Sequence, residues 1–130
     1  MLRITRGICW IRHVNMRTLL LFFLTLLAGQ NAALASERLM FWNLTSSTIT
    51  ALNLAPSGTS IFGPNQCAND RDGAVDYDER LRLTGIHPGH YDVQVTYKKG
   101  RTCMARDVQV SGEGRYAFSL ADADLQECHP

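Results

Sequence analysis

The chain has 130 residues, with 13 Lys and Arg against 12 Asp and Glu and a formal net charge of +1. Four of the basic residues (Arg3, Arg6, Arg12, Arg17) fall in the first 17 positions; without them nine face twelve acids, a net of −3. Such a balance removes the electrostatic case for nucleic acid or anionic membranes as partners, and the length allows one domain with a modest core.

Met16-Arg17, the apolar run Leu19 to Ala28 and the small-x-small site Ala33-Leu34-Ala35 are the three parts of a secretory signal peptide. Ten apolar residues fall short of the roughly 20 that span a bilayer, so residues 1–35 are expected to be cleaved, leaving no stable membrane span. Met16 makes a compact leader by itself, which leaves 1–15 open as a mis-assigned start. The mature domain is then 36–130 and exported, periplasmic or secreted.

Short apolar/polar alternations separated by turn residues follow, the mark of antiparallel β-structure. Arg38 to Leu44 and Thr48 to Leu54 read as the first two strands, with Thr45-Ser46-Ser47 between them. After Pro56-Ser57-Gly58 come the apolar pair Ile61-Phe62 and a loop from Gly63 to about Tyr77. Arg80 to Thr84 alternates strictly. Tyr91, Val93, Val95 and Tyr97 share a face, Lys99-Gly100 turns the chain, and Met104, Val108 and Val110 share the next. Tyr116, Phe118 and Leu120 close the series, and Ala121 to Glu127 has the makings of a helical turn. Fold class is therefore all-β: one antiparallel β-sandwich of about seven strands with an immunoglobulin-like or transthyretin-like outline.

The run Leu83-Thr84-Gly85-Ile86-His87-Pro88-Gly89-His90-Tyr91-Asp92-Val93 resembles a hairpin of prealbumin-like and carboxypeptidase-associated β-domains. That resemblance implies a Pro-Gly turn and an inward Tyr. A longer series from Phe41 to Leu120 includes Gly63-Pro64-Asn65 and Tyr91-Asp92-Val93. It resembles small uncharacterised exported bacterial β-domain proteins, and implies export and a β-domain. Members of that group carry a Cys before the Tyr-Asp, where this chain has Gly89-His90.

Cys67, Cys103 and Cys128 survive cleavage, and an oxidising compartment pairs two of them. Hairpin register brings all three to one pole. Cys67–Cys103 is favoured because it closes a longer loop than Cys103–Cys128, the alternative, and is worth on the order of 3–4 kcal/mol. The segment 68–79 lies near the same pole and fits a twelve-position calcium loop, with Asp70, Asp72, Asp76 and Glu79 at ligating positions and Gly73 at the sixth. Ala68 at the first position cannot ligate. The competing reading is a solvated acidic loop neutralised by Arg71, Arg80 and the Lys98–Arg101 turn.

His87, His90 and His129 give at most two ligands per pole, too few for a transition metal. Serine-glycine pairs at Ser57 and Ser111 lack the strand-to-helix turn of a nucleophile elbow. Phe41 and Trp42 are consecutive and must point to opposite faces of their strand. One is expected to dock a partner unless the tail covers it. The expected function is a non-catalytic binding or accessory module of the cell envelope, without a required cofactor, acting on another envelope or secreted protein. A calcium-stabilised β-domain is the alternative, and a small hydrolase or redox enzyme the third.

Overall fold

A computed structural model of the protein describes residues 38–130; the expected leader, with both of its possible starts, lies outside them. Seven strands follow in chain order: β1 (Met40–Leu44), β2 (Ile49–Pro56), β3 (Arg80–Arg82), β4 (Gly89–Tyr97), β5 (Thr102–Val110), β6 (Phe118–Ala121) and β7 (Gln126–His129). They form a three-stranded sheet in the order β3-β1-β6 and a four-stranded sheet in the order β2-β4-β5-β7. Among the described residues no helix is long and apolar enough to cross a membrane.

The expected mostly β domain is therefore present, with three differences. β1 and β6 pair in parallel, so the domain is not wholly antiparallel; parallel neighbours need a long connection, and here most of the domain intervenes. β3 and β4 lie in different sheets, so the expected Pro88-Gly89 turn closes no hairpin and instead carries the chain from one sheet to the other. The tail makes only a short 3-10 turn, Asp122–Asp124, before adding β7 to the edge of β5.

Alternation explains the packing. Phe41 and Asn43 point inward from β1, and Leu81 points inward between Arg80 and Arg82. Phe41, Leu81, Phe118 and Leu120 from one sheet join Leu52, Leu54, Val93 and Val95 from the other in a single buried cluster. Each such side chain contributes about 1.5–3 kcal/mol on burial. Tyr91 packs against this cluster and donates its hydroxyl to the His87 carbonyl at 2.9 Å.

Side-chain amides hold the loop between β2 and β3. Buried Asn43 donates to the Val75 and Asp76 carbonyls at 2.9 and 3.1 Å and accepts from the Thr45 N–H at 2.9 Å. Asn65 accepts from the Leu52 and Cys67 N–H groups and donates to the Thr50 carbonyl, so its amide serves the free side of β2 as a neighbouring strand would. Gln66 does the same for Thr84, taking its N–H at 2.9 Å and giving to its carbonyl at 3.1 Å. Buried backbone groups need such partners. The loop also bridges β2 through Ile49 and Val75 and through Gly63 to Leu54, which covers an edge otherwise open to foreign strands.

The disulfide joins Cys103 to Cys128, with S–S 2.06 Å, and Cys67 is a free, buried thiol. This corrects the favoured Cys67–Cys103 pairing. β7 pairs with β5 at Thr102↔His129, which sets Cys128 beside Cys103. Cys67 instead lies in the 3-10 turn Gln66–Asn69 with its thiol 3.8 Å from the Ile49 carbonyl. Closure entropy grows only logarithmically, so the longer loop was favoured by just about 0.3 kcal/mol, and strand register decides.

A second polar knot sits where β4 and β5 shift register between Tyr91 and Val93. Buried Asp92 accepts from the Asp107 N–H at 3.0 Å, the Gly58 N–H at 3.3 Å and Arg106 at 3.2 Å. Arg106 also pairs with Glu127 of β7 at 2.8 Å. The Asp107 N–H, above all, and then Gly58 and Arg106 hold the Asp92 carboxyl below its ordinary range despite its burial.

Two outcomes follow. Cys128→Ser should remove about 3–4 kcal/mol and lower Tm by roughly 12–25 °C; calorimetry showing a fall under about 5 °C would mean that β7 is held by other contacts. A carboxyl with a depressed folded pKa stabilises fully above its unfolded value, about 3.9, and loses that contribution as pH falls through the folded value. The urea midpoint should therefore decline below about pH 4, less steeply in Asp92→Asn; equal slopes would assign the acid sensitivity to other groups.

Candidate functional site

The consecutive aromatics of β1 divide as the strand geometry requires. Phe41 is fully buried and tilts against Phe118 at 5.0 Å between ring centroids; it is a core residue, which corrects its place in the expected docking pair. Trp42 lies on the opposite face of the sheet. The tail does not cover it: Tyr116 packs on it at 4.9 Å, and the Arg80 guanidinium lies 4.9 Å from its ring.

Register builds this platform. Trp42 is paired with Arg80 of β3 and Met40 with Arg82, and cross-strand partners share a face. The Trp42 indole N–H donates to Asp78 Oδ1 at 2.9 Å. Arg80 donates to the Asp78 carbonyl and to the Tyr116 hydroxyl at 3.3 Å. The Tyr116 bond foremost, with Asp78 adding to it, raises the Arg80 pKa further above its ordinary value. Arg115 stands 5.5 Å from the other aromatic, Tyr116. Cation–π contacts of this kind are worth about 0.5–1 kcal/mol each at exposed sites. They hold two aromatic rings and two guanidinium groups in place at the surface.

Only Trp42 was a candidate from the sequence. Arg80, Asp78 and Tyr116 were missed, the first two because the β1–β3 pairing has no local signature. Tyr116 was assigned to the inward face with Phe118 and Leu120. The strand begins only at Phe118, so the alternation does not reach back to it.

The acidic loop spends its carboxylates locally. Asp70 accepts from the Asp72 N–H at 3.1 Å and Asp72 from the Ala74 N–H at 3.2 Å. Asp76 takes the Thr48 hydroxyl, and Glu79 the Asp76 N–H at 2.8 Å. Gly73 does adopt φ +74°, as the sixth position of a calcium loop would. Yet among the described residues no three His, Cys, Asp or Glu side chains gather in a way that holds a metal ion. Of the basic groups expected to neutralise the loop, Arg80 pairs with Asp78 at 3.5 Å. His90 stands 3.0 Å from Asp107, away from these acids in the fold.

Fold and surface define a small disulfide-bonded β domain of two sheets, one bearing an aromatic–arginine platform on its outer face. No family model matches the chain, and no curated protein or solved structure matches it either.

Burial, reinforced by the charge of Asp70, pushes the Cys67 thiol up to about 11, so little of the nucleophilic thiolate exists at neutral pH. Iodoacetamide at pH 8 should leave Cys67 of the native protein unmodified and label it fully in 8 M urea. Mass spectrometry that finds rapid native labelling would show that the 3-10 turn opens easily.

Proposed function

We propose that the protein is a non-catalytic, exported binding module of the cell envelope that docks an acidic segment of another envelope or secreted protein on the Trp42 platform. One observation carries this reading: Trp42 and Tyr116 are held together on an outer sheet face between Arg80 and Arg115. Trp, Tyr and Arg are the residues that dominate binding energy at protein interfaces, and here their geometry is fixed before any partner arrives. Pre-ordering of this kind reduces the entropy lost on association. Charge argues for the occupant. Arg80 and Arg115 contact the two rings, and although Asp78 pairs with Arg80 on the side of the acidic loop, the Arg115 side of the platform is cationic and complements an acidic segment.

The single core shared by both sheets supports a β-sandwich of immunoglobulin-like or transthyretin-like outline. The signal-peptide pattern of 1–35 and the Cys103–Cys128 bond support export to the periplasm or beyond, since structural disulfides persist in oxidising compartments.

The test places a photoreactive benzoylphenylalanine at exposed Ser119, the register partner of Trp42. Irradiation of exporting cells should give one dominant adduct with another protein, carrying an acidic segment at the crosslink. Trp42→Ala should weaken that adduct at least 10-fold, with unchanged far-UV circular dichroism, as loss of a central aromatic costs about 2 kcal/mol or more. A self-adduct, or an adduct indifferent to Trp42→Ala and Arg80→Glu, would overturn the reading.

A further inference from the structure

β7 is attached to the domain by a bond that thiol chemistry can open. All four of its residues, Gln126–His129, are exposed, whereas Leu125 just before them packs against the core. Two ladder positions, Thr102↔His129 and Met104↔Gln126, join it to β5, with a register shift between them. At the shift Cys103 stands opposite both Glu127 and Cys128. Glu127 takes φ +48° there, a left-handed conformation that residues with a side chain rarely adopt. Among the described residues the ion pair that reaches β7 is Arg106–Glu127, between half-exposed side chains, and pairs of that kind add little. With no residue buried, the strand depends on the Cys103–Cys128 bond for its place.

Access and charge both favour exchange at that bond. Cys103 is fully buried and Cys128 is exposed, so an incoming thiolate meets the Cys128 sulfur and Cys103 is the leaving group. Arg101 directs Nε to Cys103 Sγ at 3.4 Å and an Nη to Cys128 Sγ at 3.5 Å. The Arg101 carbonyl accepts from the Tyr97 N–H at 2.9 Å in the turn between β4 and β5, and its guanidinium lies 5.8 Å from the Tyr97 ring, which keeps the side chain beside the sulfurs. Among the described residues no carboxylate pairs with Arg101. An intact disulfide gains little from this cation, because its sulfurs are weak acceptors. A thiolate gains much more, and a stabilised thiolate leaves faster. The arrangement therefore favours the reduced sulfurs over the intact bond.

We propose that the Cys103–Cys128 bond is a redox latch, opened by a dithiol reductant of the thiol–disulfide oxidoreductase class, and that opening it releases β7. The first thiolate of the reductant bonds to Cys128 Sγ, and the electron pair of the broken S–S bond leaves on Cys103 Sγ, beside Arg101. The second thiolate then attacks the reductant's own sulfur in the mixed disulfide and displaces Cys128 as a thiolate. The reductant ends as a disulfide, and Cys103 and Cys128 gain two electrons and take up protons from the reductant's thiols through solvent. Glu127 is then free to leave its left-handed backbone, and the edge of β5 from Thr102 to Met104 is uncovered. An oxidising compartment keeps the latch closed in the absence of such a reductant.

The test adds dithiothreitol at pH 8 to the oxidised, ¹⁵N-labelled protein. Alkylation with mass spectrometry follows reduction, and hydrogen exchange follows the strands. Reduction should go to completion with the amides of β2 and β4 still protected, while those of Gln126 to His129 exchange freely. Arg101→Gln should slow reduction about 5-fold or more, and Arg101→Lys, which keeps the charge, should restore most of the rate. Reduction of Arg101→Gln at or above the parent's rate, or an Arg101→Lys as slow as Arg101→Gln, would overturn the proposal. So would β7 amides that stay protected after reduction of the parent protein. Loss of protection in β2 and β4 together with β7 would also overturn it, since the bond would then staple the whole fold.

Discussion

Asn43, Asn65 and Gln66 supply hydrogen bonds that the fold would otherwise take from additional strands. The chain must leave β2 at one sheet's edge and enter β3 at the edge of the other, and the intervening loop has little regular structure. Its backbone groups nevertheless lie against the core and require partners. Asn43 is fully buried and Gln66 nearly so, and each bonds on both its carbonyl and its amino side. An amide is the side chain suited to this work, because it carries the same donor and acceptor groups as the peptide unit. Replacing one by an apolar residue would leave several backbone groups unpaired at once, each costing about 1–3 kcal/mol.

Much else rests on that loop. By holding residues 75–79 against β1, Asn43 fixes where β3 begins, and hence the Trp42↔Arg80 register that assembles the surface platform. The hydrogen bond from Asn43 to the Ser47 carbonyl likewise shapes the turn between β1 and β2. The disulfide and the Asp92–Arg106–Glu127 network do a complementary task at the other edge, holding an exposed terminal strand onto β5.

The sequence made the strands legible wherever alternation is strict, as in Arg80 to Arg82 and Val93 to Tyr97, because the period of two reports directly on burial; at Asp92 the register shift breaks that period and buries a residue expected on the wet face. It hid features that depend on which strands are neighbours. Parallel pairing of β1 with β6, the addition of β7, and the choice of Cys128 over Cys67 as the partner of Cys103 are all consequences of long-range register. Phe41 and Trp42 were correctly placed on opposite faces, but which of them faces out needs the second sheet. The polar residues of the loop after Gly63 read as turn formers. Nothing in their order signals that Asn65 and Gln66 act in place of strands. Similarly, the acidic spacing of 68–79 resembles a ligating loop, whereas Asp70 and Asp72 accept from nearby backbone N–H groups.

The central claim is that side-chain amides close the crossing loop as firmly as a strand ladder would. Native-state hydrogen exchange measures it directly at the amides of Thr45, Leu52, Cys67 and Thr84, whose N–H groups bond to Asn43, Asn65 and Gln66. All four should exchange only through opening events comparable to those of β4 and β5, with free energies near that of global unfolding. Exchange of Cys67 and Thr84 at rates typical of exposed loops, while β4 and β5 stay protected, would contradict the account. The loop would then be an appendage to the two sheets and not a support of them.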